Sequence, residues 1–349
     1  MNVSTGRKQL LSIQYLRAIG ALMVVLHHAR NPQPWLFNPL DGYPSFAWGV
    51  HIFFVISGFI MYVAARHEKP LEFLRRRVIR VIPLYWCATI TLFILSKKLH
   101  VLTATGEELL HILKSLAFIP HYNLYNPERI WPYLIPGWTL NYEMLFYFLF
   151  FGALMSGRVI QTTSIVIVGL FLTGRLFEFN APVMLTYTSP FLLEFLVGIW
   201  VAWMYEKEYL NKYKIWLLPA GFIGIFLLPA FKGQFPLIWG IIVCSSIIIV
   251  GAVSYEPKTP YNKLAKLIGD ASYSIYLTHT VISLKIAYKI MPRIPIEGWI
   301  QFISWVILSL GISIVVGVLV HLYFEKPLLK SLRVRWMPAA RQRSILNKI

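Results

Sequence analysis

An otherwise apolar stretch, SIQYLRAIGALMVVLHHAR from Ser12 to Arg30, carries Arg17, His27 and His28. Ionisable groups inside a membrane span are costly, and they mark substrate paths, proton relays or catalytic centres. Arg17 and His28 are eleven residues apart, which on a helix rising about 1.5 Å per residue is roughly 16 Å along the axis. One end of this helix therefore offers a cation and the other a titratable base. The plainer readings are an arginine snorkelling to one surface and an interfacial histidine wetted by headgroups. His27 points about 100° away from His28 and is expected to pack or to lie at the interface.

Other chemistry-bearing residues follow at intervals. In FLRRRVIRVIPLYW, Arg75, Arg76, Arg77 and Arg80 cluster before Pro83. Positive-inside anchoring accounts for one or two of them. Arg77 and Arg80, at i, i+3 on one helical face, also have the forked guanidinium geometry that grips phosphates. Glu143, in PGWTLNYEMLFYFLF, lies about as deep from its end of a span as His28 does. A buried carboxylate needs a partner, and a carboxylate that fixes an imidazole tautomer is half of a catalytic dyad. A structural hydrogen bond from a tryptophan or tyrosine is the alternative.

WGVHIFFVISGFIMY places His51 near the start of a span and Ser57 and Gly58 near its middle. Gly58 reads as a close-packing residue, and Ser57 stays open between packing and function. Glu194 interrupts another apolar run. GDASYSIYLTHT supplies Asp270, expected to N-cap the following helix, and His279, which suits either a cofactor channel or an interhelical hydrogen bond. His321 reads as interfacial, and Lys285 and Lys289 as snorkelling or facing an anionic substrate.

The elements that must position these groups are membrane helices. The 349 residues are 57% hydrophobic with mean hydropathy +0.61, the composition of an all-α integral membrane protein. Ten spans are expected, near 12–30, 46–65, 78–97, 138–156, 159–176, 186–205, 214–230, 236–253, 271–291 and 299–323. The first run is long enough to span and is expected to be retained. A formal net charge of +18 would suggest nucleic acid for a soluble chain. Here the basic residues sit between spans, at Arg66–Arg80, Lys207–Lys214, Pro257–Lys266 and after Glu325, and read as topology signals that place both termini in the cytoplasm. Membrane lipids with anionic headgroups remain partners, and no nucleic acid is expected. Residues 1–335 read as one transmembrane domain followed by a basic tail, 336–349. The long segment Lys98–Gly137 lies on the far side and is suited to cover a site there. Cys87 and Cys244 have no disulfide or metal-ligand spacing, and no metal is expected.

YLRAIGALMVVLHH, FFVISGF, RVIRVIPLYW, FIPHYN, PGWTLNYEMLFY, SYSIYLTH and FEKPL, in this order from residue 15 to residue 328, resemble the acyltransferase-3 family of integral membrane acyltransferases, and within it the exopolysaccharide O-acetyltransferases of the ExoZ type. The resemblance implies transfer of an acyl group, usually acetyl from cytoplasmic acetyl-CoA, to a sugar hydroxyl of a surface polysaccharide or its lipid-linked precursor, at the bacterial inner membrane. Carried over, it makes His28 the catalytic base with Glu143 its acidic partner, and puts Arg17, Arg77, Arg80 and His279 on the cofactor path. His51, Ser57, Trp138 and Asn141 become the acceptor contacts. His51 stands where the family commonly has an aspartate, which alters the local charge. The rival readings are a transporter or flippase for a lipid-linked glycan, which intramembrane Arg, His and Glu also suit, and a catalytically inactive membrane scaffold.

Overall fold

The structure, a computed structural model, describes residues 10–31, 35–97, 103–210, 216–231 and 237–336. The described residues are helical throughout, without a strand. In chain order the helices are α1 (Leu11–Ala29), α2 (Gly49–Ala65), α3 (Pro70–Ser96), α4 (Gly106–Leu116), α5 (Trp138–Ser156), α6 (Val159–Leu176), α7 (Pro182–Tyr187) and α8 (Phe191–Glu206). They continue as α9 (Leu217–Leu227), α10 (Leu237–Ser254), α11 (Lys263–Asp270), α12 (Ser272–Thr278), α13 (Leu284–Ile290), α14 (Gly298–Val320) and α15 (Lys326–Trp336). Among the described residues, six helical stretches are long and apolar enough to cross a membrane.

Among the described residues helix lies within each of the ten expected segments, six stretches being long and apolar enough to cross, and residues 214–215 and 236 fall outside the described residues; two segments are corrected. The expected span 186–205 is divided between α7 and α8. The expected span 271–291 is broken into α12, a π-helical turn over His279–Ser283, and α13. Asp270 does not cap α12. It is the last residue of α11 and pairs with Lys266 at 2.5 Å, while Ala271 occupies the N-cap without a side-chain bond. The tail expected at 336–349 lies, beyond Trp336, outside the described residues.

One end of the bundle is a basic face, where α1 and α3 begin and α15 lies. There the carboxylate of Glu256 accepts from the backbone amides of Leu11 and Ser12, both at 2.8 Å. A negative group at these orphan donors offsets the helix dipole and fixes the entry of α1. α3 starts with Pro70 at its first position, where a missing N–H costs nothing, so Arg77 and Arg80 lie on a continuous helix.

The opposite end is a loop face built from residues 30–31, 35–48 and 103–137. α4 is fastened there by a capping box between Thr105 and Glu108, which satisfies two orphan amides at once. Tyr85 and Trp86 of α3 donate to the carbonyls of Ser115 and Leu116.

Between the two faces the core is aromatic. Phe146 and Phe195 stack at 4.5 Å between ring centres, and Phe59, Phe73, Tyr85, Tyr147 and Phe150 are wholly buried. α2 and α8 make the closest helix contact. Gly58 faces the backbone of Phe195 and Gly198 faces that of Val55, with no room for a Cβ at either position. Small residues that let backbones touch are how helices associate where lipid is as apolar as leucine.

Candidate active site

The basic-face half of the bundle holds a partly open cavity. α1 contributes Arg17, α3 contributes Arg77 and Arg80, α5 contributes Glu143 and Tyr147, α12 contributes Tyr273 and Tyr276, and Ser57 enters from α2. The lining thus holds three guanidinium groups against one carboxylate. Arg17 donates to Gln14 at 3.1 Å. Arg77 lies 5.6 Å over the ring of Phe73, and its buried Nε has no hydrogen-bond partner. A cavity with surplus cations and an unpaired guanidinium donor is built to receive an anion, because an uncompensated charge in low dielectric is otherwise expensive.

Helix counting brings Arg17, Arg77 and Arg80 together, and they do meet. It also pairs Glu143 with His28, and these the structure keeps apart. Glu143 accepts a hydrogen bond from Tyr147, one turn further along α5, and faces the arginines. The tyrosine alternative to the dyad is the one realised.

His28 meets His279 instead, beyond the loop-face end of the cavity. The Nδ1–H of His279 donates to the carbonyl of Tyr276 at 2.6 Å, so its Nε2 is the ring's acceptor in the neutral form. The Nδ1–H of His28 lies 3.0 Å from the carbonyl of Val24 and 3.2 Å from that Nε2. Both acceptors call for the proton on Nδ1, and this leaves the Nε2 lone pair of His28 free to take another. His28 keeps partial exposure while His279 has none. The interhelical bond, one of the two readings open for His279, is therefore the one present. The π-helical turn that begins at His279 is a local departure of the kind concentrated at functional sites. His27 packs edge-on to His28 at 5.1 Å.

The four expected acceptor contacts divide. Ser57 lines the arginine cavity. Trp138 joins Phe54, Tyr142 and Phe191 in an aromatic cluster, and Asn141 is buried in α5. His51 also edges this cluster, 5.3 Å from Phe191, and its Nδ1–H donates to Glu194 at 2.6 Å. Glu194 is wholly buried on α8, with its second oxygen unpartnered.

Sequence reasoning did not foresee this pair, although two unexplained polar intrusions in different spans were its signal. It gives Thr139 and Tyr147 no role, and it shows Tyr273 and Tyr276 only as polar residues of GDASYSIYLTHT, without assigning them to a site. His321, expected at the interface, shares Glu325 with Ser274 at 2.8 and 2.6 Å. Lys285 and Lys289 are exposed. Among the described residues, no three His, Cys, Asp or Glu side chains form a metal-ligating set.

The segment over the loop face is a network of neutral histidines and one ion pair. Lys97 meets both oxygens of Glu108 at 2.6 Å, and Tyr125 donates to the same carboxylate. The bonds from Lys97, Thr105 and Tyr125 hold the Glu108 carboxyl down at about 2. His111 donates through Nδ1–H to Nε2 of His121 at 2.8 Å. Burial first, then His121 and Lys114, pushes His111 down to about 4.

Helical spans around a cationic cavity and a histidine with one free nitrogen make this a helical membrane protein with polar sites inside the bundle. The sequence pattern of the acyltransferase-3 family, described as an acyltransferase domain, matches residues 10–321. The chain belongs to this family. It is similar to the exopolysaccharide production protein ExoZ of Rhizobium meliloti, with 33% identity over 311 residues, covering 84% of this chain and 92% of the relative. No solved structure matches it.

Proposed function

We propose that this chain is an O-acyltransferase of the bacterial inner membrane. It moves an acyl group, acetyl in our reading, from cytoplasmic acyl-CoA to a sugar hydroxyl of a surface polysaccharide or its lipid-linked precursor. Ten crossings with both termini in the cytoplasm put the basic face inside and the loop face outside. The observation that carries the reading is the adjacency of two different sites within the bundle. An anion-demanding arginine cavity lies toward the basic face, and an imidazole with a free lone pair lies toward the loop face. Family membership supports the acyl-transfer class, and the ExoZ relative, named for exopolysaccharide production, supports the acceptor class.

In this mechanism the phosphates of CoA bind Arg77 and Arg80, with Arg17 adding charge from α1, and the pantetheine arm lies in the cavity. Glu143 limits the surplus of positive charge and is itself held by Tyr147. The sugar hydroxyl approaches from the loop face. His28 Nε2 takes the hydroxyl proton as the oxygen attacks the thioester carbonyl carbon, the C–O bond forms, and the C–S bond breaks. The proton then passes from His28 to the departing thiolate, so an ester and free CoA leave. His279 keeps the reactive nitrogen unprotonated at rest and accepts from the imidazolium once it forms. General-base catalysis of this kind contributes about 10² to 10⁴ in rate.

The test is purified protein in proteoliposomes with acetyl-labelled acetyl-CoA and the polysaccharide. Ester label on the glycan with the wild-type chain, and its loss with His28→Ala, is the expected result. Wild-type levels of label in His28→Ala would overturn the assignment of the base. Glycan translocation without any acyl transfer would replace it with the transporter reading.

A further inference from the structure

The cavity and the histidine pair are adjacent, yet they do not open into one another. Phe53, Thr139 and Tyr276 belong to the cavity wall, whereas neither His28 nor His279 does. Tyr276 stands between the two sites. Its ring is 6.0 Å from that of His279, one turn along, and 6.1 Å from Phe53 on the facing helix.

The position of Tyr276 is held at its polar end. Its hydroxyl donates to the carbonyl of Pro136 at 2.8 Å and lies 2.9 Å from Oγ1 of Thr139, which is itself 3.1 Å from the same carbonyl. Tyr276 is thus latched to the start of α5, while the helix carrying it passes into a π-helical turn three residues later. Phe53 is fixed on its other side by α1. A Cβ on Gly20 would already meet the Phe53 ring at 3.1 Å. Two aromatic rings, one tied through its hydroxyl and the other half-buried against α1, stand between the place where a thioester would lie and the base that would activate its attacker.

We infer that Phe53 and Tyr276 form the constriction at which the acyl end of the thioester meets the acceptor hydroxyl, and that this constriction restricts the transferred group to the shortest acyl chains. The inference rests on the acyl-transfer reading and names its acyl specificity. An acetyl group ends in one methyl beyond the carbonyl. Each further methylene must displace a ring that is packed on its far side or tied through its hydroxyl. Pockets of this kind discriminate by roughly 10- to 200-fold per methylene.

The experiment compares acetyl-, propionyl- and butyryl-CoA as donors for the reconstituted protein, with ester formation on the polysaccharide as readout. The wild-type rate is expected to fall about tenfold or more for each added methylene. Phe53→Ala is expected to raise the butyryl-to-acetyl ratio by about tenfold or more. Tyr276→Phe, which keeps the ring and removes the latch, is expected to raise it less. Phe53→Leu is made in parallel, so that a failure of the alanine variant to fold leaves a second variant with a shortened side chain.

A wild-type protein that uses butyryl-CoA as well as acetyl-CoA would overturn the inference and leave acyl transfer standing. So would active Phe53 variants with an unchanged ratio. A wild-type protein that turns over no thioester would overturn the acyl-transfer reading itself, and the inference with it.

Discussion

The arginine cavity borders α12 and the histidine pair borders the π-helical turn that follows it, but their electrostatics differ in kind. The cavity is incomplete by itself: three guanidinium groups face one carboxylate, and Arg77 Nε is buried without a partner. The histidine pair is complete, a chain of neutral donors and acceptors running from His28 through His279 to the carbonyl of Tyr276. A site short of negative charge binds, because the incoming anion removes a penalty already present. A satisfied neutral chain that ends in a free lone pair holds a tautomer ready for proton transfer. Binding and proton transfer are therefore expected to separate under mutation.

His28→Ala breaks the comparison at its strongest point. It should lower ester formation by about 10²- to 10⁴-fold while acyl-CoA binding, measured by titration calorimetry in detergent, persists. Loss of binding together with turnover would show that the two sites are one.

The pair His51–Glu194 offers a reference, a buried polar contact in the same bundle that belongs to neither site. Glu194→Ala strands the histidine side of this pair, and a buried donor left without its partner costs about 1–3 kcal/mol. A loss of thermal stability is expected, read as a lower unfolding midpoint in detergent. An unchanged midpoint would mean that the pair does not hold α2 to α8.

Arg77→Ala combined with Arg80→Ala should weaken acyl-CoA binding by roughly 10²- to 10⁴-fold, since hydrogen bonds to charged groups are worth about 1.5–3 kcal/mol each. Unchanged affinity would remove the phosphates from this cavity. His279→Ala should cost roughly three- to tenfold in kcat, the worth of one neutral hydrogen bond, with KM for acyl-CoA little changed. His279→Asn, whose amide oxygen can accept from Nδ1–H of His28, should restore part of it. Equal losses in both variants would deny His279 an orienting role.

The smallest effect concerns the loop face. His111 is held below its ordinary value of 6.5, at about 4, chiefly by burial. Its neutral form is thus favoured by folding, and the stability it contributes is present above pH 6.5 and lost as pH falls toward 4. Hydrogen exchange of residues 106–133 should quicken over that window, and His111→Asn should flatten the change. Exchange that is independent of pH, after correction for the intrinsic rate, would show that the His111–His121 bond does not hold this segment.

Much of this arrangement was legible in the chain. Helix rise and the deep placement of Arg17, Arg77 and Arg80 put these residues at one level, and the cavity gathers them. The same counting put Glu143 level with His28, and there it misled. Depth along a helix follows from residue number, but the direction a residue faces across the bundle depends on how each helix is rotated against its neighbours. α5 turns Glu143 toward the arginines and Tyr147. For the same reason the sequence displayed His51 and Glu194 only as two separate oddities, 143 positions apart.

What the sequence by itself determined is the helical membrane architecture, the family, and the inventory of costly polar groups. Hydrophobic length, charge placement and motif order are properties of the linear chain. What only the tertiary structure decided is which of those groups meet. His279 rather than Glu143 meets His28, Glu194 answers His51, and Tyr276 stands between the cavity and the histidine pair. The physical reason is that burial forces every such group to find a partner, while backbone contacts such as Gly58 against Phe195 set which partners lie within reach.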